Sequence, residues 1–334
     1  MIPDFAALNP GYVLHPMRLK TGCRSERKST MSSSADAVPG FPQWVREVRA
    51  PVPLPPKKSC DCQAHVFGDP VKYPPRANAE YAPLQGATFD DLCEVERTLG
   101  FERFVIVHAQ VYGTDFRLVT DYLEAMGDHS HIRLIGRIDD SVSDRELERL
   151  HGFGFRGVRF GVWHGRHSPP DFNVIRRTAD RVRSLGWHLR LHLGRDALPM
   201  CADELDTLRG IRVSIDHLGY VDPALGPQQP ACRWIADKLR RDEDWWLMLS
   251  NGNRLSSMEE GYGDAIPIAR AYIEAAPDRL IWGTDWPHVQ WRKQRMMNDA
   301  EEVELLYRYV EHDAALLQKI LVDNPARLHG FEER

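Results

Sequence analysis

The chain has 334 residues, of which 43% are hydrophobic and 27% are charged, and its formal net charge at pH 7 is −5. This composition is that of a globular protein with a substantial core, and it excludes a fibrous or largely disordered chain. The negative net charge and the scattered basic residues give no electrostatic basis for nucleic-acid binding. No run of about 18 apolar residues is present, so we expect no membrane partner. Six cysteines without CxxC spacing favour a cytoplasmic protein.

The N-terminal segment differs from the rest of the chain. Residues 1–40 combine a basic stretch, a serine run and no apolar periodicity, so we predict a disordered extension there. Met31 precedes the serine run and is a second candidate for the start of translation, besides Met1. Residues 41–56, which include Trp44 and a proline-rich end, are predicted to lie as an arm across the domain. The domain itself is assigned to residues 41–334.

From Cys60 onward, short apolar runs alternate with amphipathic segments. This alternation is typical of repeated βα units and a parallel sheet. Eight units in about 270 residues predict an α/β fold, a single (β/α)8 TIM barrel. An open, doubly wound sheet would usually carry a glycine-rich phosphate loop after its first strand, and residues 66–70 do not form one. The predicted strands are residues 60–66, 103–108, 132–137, 155–160, 188–193, 212–217, 245–250 and 279–284.

Several of these strands end in histidine or aspartate. His65, His108, His192, His217 and Asp285 all stand at the predicted carboxyl end of a strand. The carboxyl ends of the strands form the face of a parallel barrel where catalytic groups assemble. A single histidine is more often a buried structural residue, but the shared position of five residues predicts one common site.

The motifs at these strand ends resemble, in chain order, the 2-pyrone-4,6-dicarboxylate lactonase branch of the amidohydrolase superfamily, a group of predicted metal-dependent TIM-barrel hydrolases. The resemblance runs from about Pro42 to the C-terminus and implies a barrel that hydrolyses lactones. The motifs that carry it are Asp-Cys-Gln-Ala-His at 61–65, Val-His-Ala-Gln-Val-Tyr-Gly at 107–113, Gly-Val-Arg-Phe at 157–160, Asp-His-Leu-Gly at 216–219, Trp-Gly-Thr-Asp-Trp-Pro-His at 282–288 and Asn-Pro-Ala-Arg at 324–327.

The resemblance implies a mechanism centred on Asp285. As general base, this carboxylate would take a proton from the water that attacks the lactone carbonyl, and it could return the proton to the leaving oxygen. His65, His192 and His217 would stabilise the negative charge that develops on the carbonyl oxygen. These four residues are the predicted catalytic set.

Substrate contacts are also implied by the resemblance. Arg159 and Arg254 match carboxylate-binding arginines, and a guanidinium group suits a carboxylate well. The alternative for Arg159 is an ion pair with a carboxylate inside the barrel mouth. Arg166 is a weaker third candidate. The other predicted contacts with a small anionic lactone or carboxylate substrate are Gln63, Gln110, Tyr81 and His288.

Position 63 departs from the lactonase pattern. Hydrolases of the family usually carry His-x-His at the end of the first strand, and Gln63 replaces the first of these histidines. Glutamine there resembles lactone isomerases, whereas Asp285 resembles the hydrolases. We give Asp285 more weight, because a carboxylate can deprotonate water and an amide cannot. The alternatives that stay open are a lactone isomerase and a metal-dependent amidohydrolase or decarboxylase.

A metal site is the alternative to metal-free chemistry. His65, His192, His217 and Asp285 could together hold a single Zn²⁺ or Mn²⁺ with an activated water. Gln63 removes one imidazole ligand, and an amide oxygen is a poor substitute for zinc. We therefore expect no metal cofactor. The sequence leaves open whether the chain forms a homo-oligomer.

Overall fold

The computed structural model describes residues 43–162, 171–195 and 197–331. The predicted extension and Arg166 lie outside these residues. Eight parallel strands form one sheet in which each strand pairs with the next along the chain. All eight predicted strands are confirmed, and so is the TIM barrel. The strands are β1 (Cys60–Ala64), β2 (Arg103–Val107), β3 (Ile132–Gly136), β4 (Phe155–Val162), β5 (His188–Leu193), β6 (Val213–Ile215), β7 (Trp245–Met248) and β8 (Leu280–Ile281).

The segment that follows β8 closes the barrel against β1. A parallel bridge joins Ala64 to Trp286, and the backbone N–H of Asp285 donates to the carbonyl of Gln63 at 2.8 Å. Gly283 permits this approach, because a Cβ atom at that position would lie 2.5 Å from the backbone nitrogen of Gln63. Asp285, the predicted base, is thus hydrogen-bonded directly to the first strand.

Helices follow the strands and cover the outside of the barrel. The first of them shows the expected signals: Thr88 and Asp91 form a capping box at its start, and Gly100 ends it in a left-handed conformation with φ of 88°. In the described residues the helices are α1 (Phe89–Leu99), α2 (Arg117–Met126), α3 (Asp144–Gly152), α4 (Phe172–Arg183), α5 (Ala197–Leu205), α6 (Pro230–Arg241), α7 (Gly252–Leu255), α8 (Ile266–Ala275), α9 (Asp299–Tyr309), α10 (Ala314–Gln318) and α11 (Asn324–His329). Throughout the same residues, no helix has the length and hydropathy needed to cross a membrane.

The predicted arm packs beside the turn that carries Asp285. Trp44 is buried, and its ring meets the ring of Trp286 edge to face with centroids 5.0 Å apart. Its indole N–H donates to the carbonyl of Gly86 at 3.2 Å. Further along the arm, Arg49 pairs with Glu304 on α9. The arm therefore joins the loop after β1, the turn after β8 and the last long helix.

Replacement of Trp44 by alanine is expected to lower the free energy of unfolding by about 3 kcal/mol, because a buried aromatic ring and its cavity are lost. Urea denaturation would measure the change. Val52→Ala is the matched control on the same arm, since Val52 is 78% exposed, and it should change stability by less than about 0.5 kcal/mol. Equal stability of the Trp44 variant and the parent would show that the arm does not contribute to the fold.

Candidate active site

Asp285 lies in a turn that a second buried carboxylate holds in place. Asp61 on β1 accepts hydrogen bonds from the backbone N–H of Thr284 at 3.1 Å and from its hydroxyl at 2.5 Å. Burial raises the pKa of Asp61 to about 6. Asp285 has a left-handed backbone with φ of 62°, a conformation that aspartate adopts more readily than bulkier residues do. Its side chain reaches the barrel mouth and is largely buried there.

Three of the predicted residues converge on one oxygen of this carboxylate. Nε2 of Gln63 donates a hydrogen bond to Oδ1 of Asp285 at 3.1 Å. Nε2 of His65 lies 3.5 Å from the same oxygen, and Nε2 of His217 lies 4.0 Å from it. Residues from β1 and from the ends of β6 and β8 thus meet at Oδ1, as their strand-end positions predict.

The other oxygen of Asp285 faces the loop after β7. Nδ2 of Asn251 donates to Oδ2 at 2.9 Å, and Nη2 of Arg254 lies 3.4 Å from it. Burial acts to raise the pKa of Asp285, but His217, His65 and Arg254 more than offset this effect, so the pKa lies well below its usual range. Asp285 is therefore an ionised carboxylate near neutral pH and can accept a proton.

Arg190 fixes the orientation of Gln63. Its Nη2 donates to Oε1 of Gln63 at 2.6 Å. Because an arginine can only donate, the carbonyl oxygen of Gln63 must face it, and the NH2 group must face Asp285. Gln63 is thus present as a hydrogen-bond donor at the centre of the site.

The hydrogen bonds of His65 assign its tautomer. Nδ1 lies 2.7 Å from the carbonyl oxygen of Val107, which only accepts, so Nδ1 carries the proton. In the neutral ring Nε2 is then the acceptor, and it lies 3.1 Å from the amide nitrogen of Gln63. In this tautomer His65 accepts from the amide of Gln63, the same group that donates to Asp285.

His217 is arranged in the same way. Its Nε2 accepts from Nη2 of Arg159 at 3.1 Å, and its Nδ1 lies 2.8 Å from the hydroxyl of Ser250. Burial lowers the pKa of His217 to about 4, although the negative charges nearby oppose this shift. The ring is thus neutral near pH 7. Both histidines thus lie beside Oδ1 of Asp285 while their Nε2 atoms accept from Gln63 and Arg159.

A buried ion-pair network lies below these groups. Arg190 is fully buried and donates to Oδ1 of Asp216 at 2.7 Å, while Nε of Arg159 donates to Oδ2 of Asp216 at 2.7 Å. Burial acts to raise the pKa of Asp216, but the two arginines outweigh it and hold the pKa well below its usual range. Arg159 therefore does pair with a carboxylate inside the mouth. Its guanidinium group also contacts His217 and so reaches the site.

Arg190, Asp216 and Asn251 were not among the predicted site residues. For Arg190 the sequence did contain a signal: in His188–Leu193 polar residues alternate with leucines, so Arg190 shares the inward face of β5 with His192. Asp216 belongs to the Asp-His-Leu-Gly motif at 216–219, but no role was predicted for it from the sequence. Asn251 lies in a loop, and no local pattern distinguishes it.

His192 and Tyr81 lie at the edge of the cluster. The ring of His192 meets that of His217 edge to face, with centroids 5.1 Å apart. Burial, with Arg159 and His217 adding to it, lowers the pKa of His192 well below its usual range. Burial also raises the pKa of Tyr81, whose phenol lies within the electrostatic range of Arg159 and Asp285. Both residues are therefore positioned beside the site.

Gln110 and His288 lie outside the cluster. Gln110 donates to Glu80 in the loop after β1. His288 is buried, and its Nε2 lies 2.8 Å from Oδ1 of Asp299 at the start of α9. His108, the remaining strand-end histidine, packs against Phe116, and burial lowers its pKa to about 3. The side chains of these three thus have partners other than the carboxylate of Asp285, although the backbone N–H of His288 donates to the carbonyl of Asp285 at 2.9 Å. Substrate contacts by Gln110 and His288 stay predictions.

The ligand set of the alternative metal site fits a metal ion poorly. Arginine nitrogens lie 3.1 Å from Nε2 of His217 and 3.4 Å from Oδ2 of Asp285, so positive charges already face two of the donor atoms. Gln63 turns its NH2 group to the cluster, and this group is not a metal ligand. Across residues 43–162, 171–195 and 197–331, no three His, Cys, Asp or Glu side chains are arranged to hold a metal ion.

Comparison with characterised sequences gives relatives of nearly full length. The chain is 37% identical over 283 residues to a 4-sulfomuconolactone hydrolase of Rhizobium radiobacter, covering 82% of this chain and 91% of that protein. It is 31% identical over 309 residues to a 2-pyrone-4,6-dicarboxylate hydrolase of Comamonas testosteroni, covering 90% and 99%. A D-galactarolactone isomerase of Agrobacterium fabrum is 25% identical, with 84% and 93% coverage.

A solved structure agrees with these relatives. A probable 2-pyrone-4,6-dicarboxylic acid hydrolase of Acinetobacter baumannii, crystallised with citric acid bound, superimposes with a TM-score of 0.70 at 26% identity, covering 82% of this chain and all of the other. The sequence profile of the amidohydrolase family matches residues 60–331. The predicted resemblance is thereby confirmed. This match spans the whole barrel, and the chain therefore belongs to the amidohydrolase family of enzymes.

Proposed function

We propose that this protein hydrolyses the ring ester of a small carboxylated lactone, with Asp285 as the general base. The observation that carries the proposal is the environment of Oδ1 of Asp285. This oxygen belongs to an ionised, largely buried carboxylate, accepts from the amide of Gln63, and lies 3.5 and 4.0 Å from Nε2 of His65 and of His217. A water molecule between the carboxylate and a bound lactone would find its proton acceptor in place. Relatives that act on 4-sulfomuconolactone and on 2-pyrone-4,6-dicarboxylate support the same reaction class.

The proposed reaction consumes one water molecule. Oδ1 of Asp285 takes a proton from the water as its oxygen forms a bond to the carbonyl carbon. The ring C–O bond then breaks, and the proton passes to the leaving oxygen, so that Asp285 is ionised again and an open-chain hydroxy acid leaves. Arg159 is a donor to the carbonyl oxygen at the site, and Gln63 becomes one if its NH2 group exchanges one of its present partners, Asp285 or His65, for the substrate. The predicted share of His65, His192 and His217 in stabilising this oxygen requires a ring N–H turned towards it, and it is part of the proposal.

Positive charge at the mouth favours an anionic substrate. Arg159 and Arg254 reach the site, and Arg137 follows directly after β3 on the neighbouring strand to Arg159. Burial, with Arg159 and Arg76 adding to it, lowers the pKa of Arg137 to about 10. Arginines from three strand ends or loops thus line the mouth, and their positive charge would attract an anionic substrate. We propose that Arg159 and Arg254 bind a carboxylate of the substrate, with Gln63, Tyr81, Gln110 and His288 as further contacts.

Two residues suggest that the substrate differs from the pyrone dicarboxylate of the relatives. Gln110 stands where the lactonases resembled by this chain have a small hydroxyl residue, and His192 replaces another contact. The second candidate function is lactone isomerisation. It is favoured by Gln63, whose NH2 group is held towards the site by Arg190, and by the similarity to a lactone isomerase.

The proposed function can be tested with a panel of carboxylated lactones, in which hydrolysis is measured through the release of protons. The panel includes 2-pyrone-4,6-dicarboxylate, 4-sulfomuconolactone and sugar-acid lactones. We infer that no metal takes part, so activity should survive chelation and should not rise on addition of Zn²⁺ or Mn²⁺. Activity that returns only with metal would instead assign His65, His192, His217 and Asp285 as ligands. Interconversion of lactones without proton release would identify an isomerase.

A further inference from the structure

We propose that Asn251 is a positioning residue, which fixes the carboxylate of Asp285 so that Oδ1 faces water and substrate. This inference rests on the role proposed above for Asp285. Nδ2 of Asn251 donates to Oδ2 at 2.9 Å and so leaves Oδ1 for the reaction. Because a carboxylate oxygen only accepts hydrogen bonds, the NH2 group of Asn251 must make this contact, and its carbonyl must point elsewhere.

Asn251 has two energetically unfavourable features, one in its backbone and one in its side chain. Its backbone is left-handed, with φ of 62°, and the residue is 1% exposed. Its Oδ1 is buried without a hydrogen-bond partner among the described residues. Such strain and unsatisfied polar atoms in a native structure occur chiefly at functional sites. The one favourable polar contact that this side chain makes in the described residues is its hydrogen bond to Asp285.

The choice of asparagine follows from these constraints. Glycine adopts a left-handed backbone most easily but has no side-chain donor. Glutamine and lysine carry donors but tolerate this backbone less well than asparagine does. Asparagine combines both properties at a position three residues before Arg254, the other group that faces Oδ2. The need for a donor at a left-handed position therefore explains this residue.

Helix α9 holds Asn251 in place from behind. The backbone N–H of Asn251 donates to Oε1 of Glu302 at 3.1 Å, and Glu302 is buried. The carboxylate of Asp285 is thus connected through Asn251 to a helix of the outer layer. A base that is held in this way needs little reorientation when the substrate binds, because the groups that orient it are already ordered.

Two substitutions separate positioning from packing. Asn251→Gly keeps the left-handed backbone and removes the donor, whereas Asn251→Asp keeps the volume and replaces the donor by an acceptor. On the panel lactone that the parent enzyme hydrolyses fastest, we expect Asn251→Gly to lower kcat by between about 10-fold and 100-fold with a nearly unchanged KM. Asn251→Asp should lower kcat at least as much. A packing role predicts the opposite order, with the aspartate variant less affected.

The control is a left-handed residue far from the site. Glu311 has φ of 54° and is exposed, so Glu311→Gly should leave kcat within about twofold. A crystal structure of Asn251→Gly gives a readout without turnover, and we expect a rotated or doubly oriented Asp285 carboxylate. An unmoved carboxylate, a parental kcat, or a milder Asn251→Asp would each overturn the inference. If Asp285→Asn kept full activity, the proposed function itself would be wrong, which is a different result.

Discussion

Replacement of Asp285 by asparagine is expected to lower kcat by about 1,000-fold, the usual scale for loss of a general base. The amide has nearly the shape of the carboxylate and tolerates the left-handed backbone at φ of 62°, so the fold should persist. KM should stay equal or fall, because a negative charge 3.4 Å from Arg254 is removed and the guanidinium becomes free for the substrate. Initial rates over a range of lactone concentrations would measure both constants.

A matched control for this variant is Asp222→Asn. Asp222 lies in the loop after β6 and pairs with Arg195, and both side chains are partly exposed. Loss of such a surface ion pair has little effect, so activity should remain within about twofold. Parental activity in Asp285→Asn would exclude this carboxylate as the base and with it the proposed mechanism.

The Arg190→Met variant is expected to be the least stable of the single variants considered. Arg190 and Asp216 are both completely buried, and Nη2 and Nε of the arginine lie 2.7 and 3.0 Å from Oδ1 of the aspartate. Removal of the cation leaves Asp216 with only Arg159 as an ionic partner in the described residues. Loss of one partner of a buried ion pair costs about 3–5 kcal/mol of unfolding free energy. Urea denaturation at pH 7 would measure it.

The same variant should also affect turnover. Arg190 holds Oε1 of Gln63 at 2.6 Å, and without it the amide can turn its carbonyl towards Asp285. We therefore expect a fall in kcat in the folded fraction. Arg195→Met is the control, because its ion pair with Asp222 is exposed and should contribute less than about 1 kcal/mol. Equal denaturation midpoints for both variants and the parent would refute the stabilising role of the buried network.

The barrel and the centre of the site were predictable from the sequence. Apolar runs alternate with amphipathic segments because each strand is covered by a helix, and this pattern is local. Once the strands are located, the parallel topology brings their carboxyl ends to one face, so His65, His217 and Asp285 had to lie near each other. Strand position thus accounts for their proximity to Oδ1 of Asp285, although it does not determine the contacts, since His108 also stands at a strand end and packs against Phe116.

Only the tertiary structure decided how these groups are oriented and which of them belong to the cluster. The direction of the Gln63 amide depends on Arg190, which is 127 residues away, and the donor to Oδ2 comes from Asn251, 34 residues before Asp285. His288 follows Asp285 by three residues, yet it faces Asp299. Periodicity fixes the face of a strand on which a side chain lies, because that depends on neighbouring residues. Hydrogen-bond partners, tautomers and pKa shifts depend on atoms brought together from distant parts of the chain, so they appear only when the barrel closes.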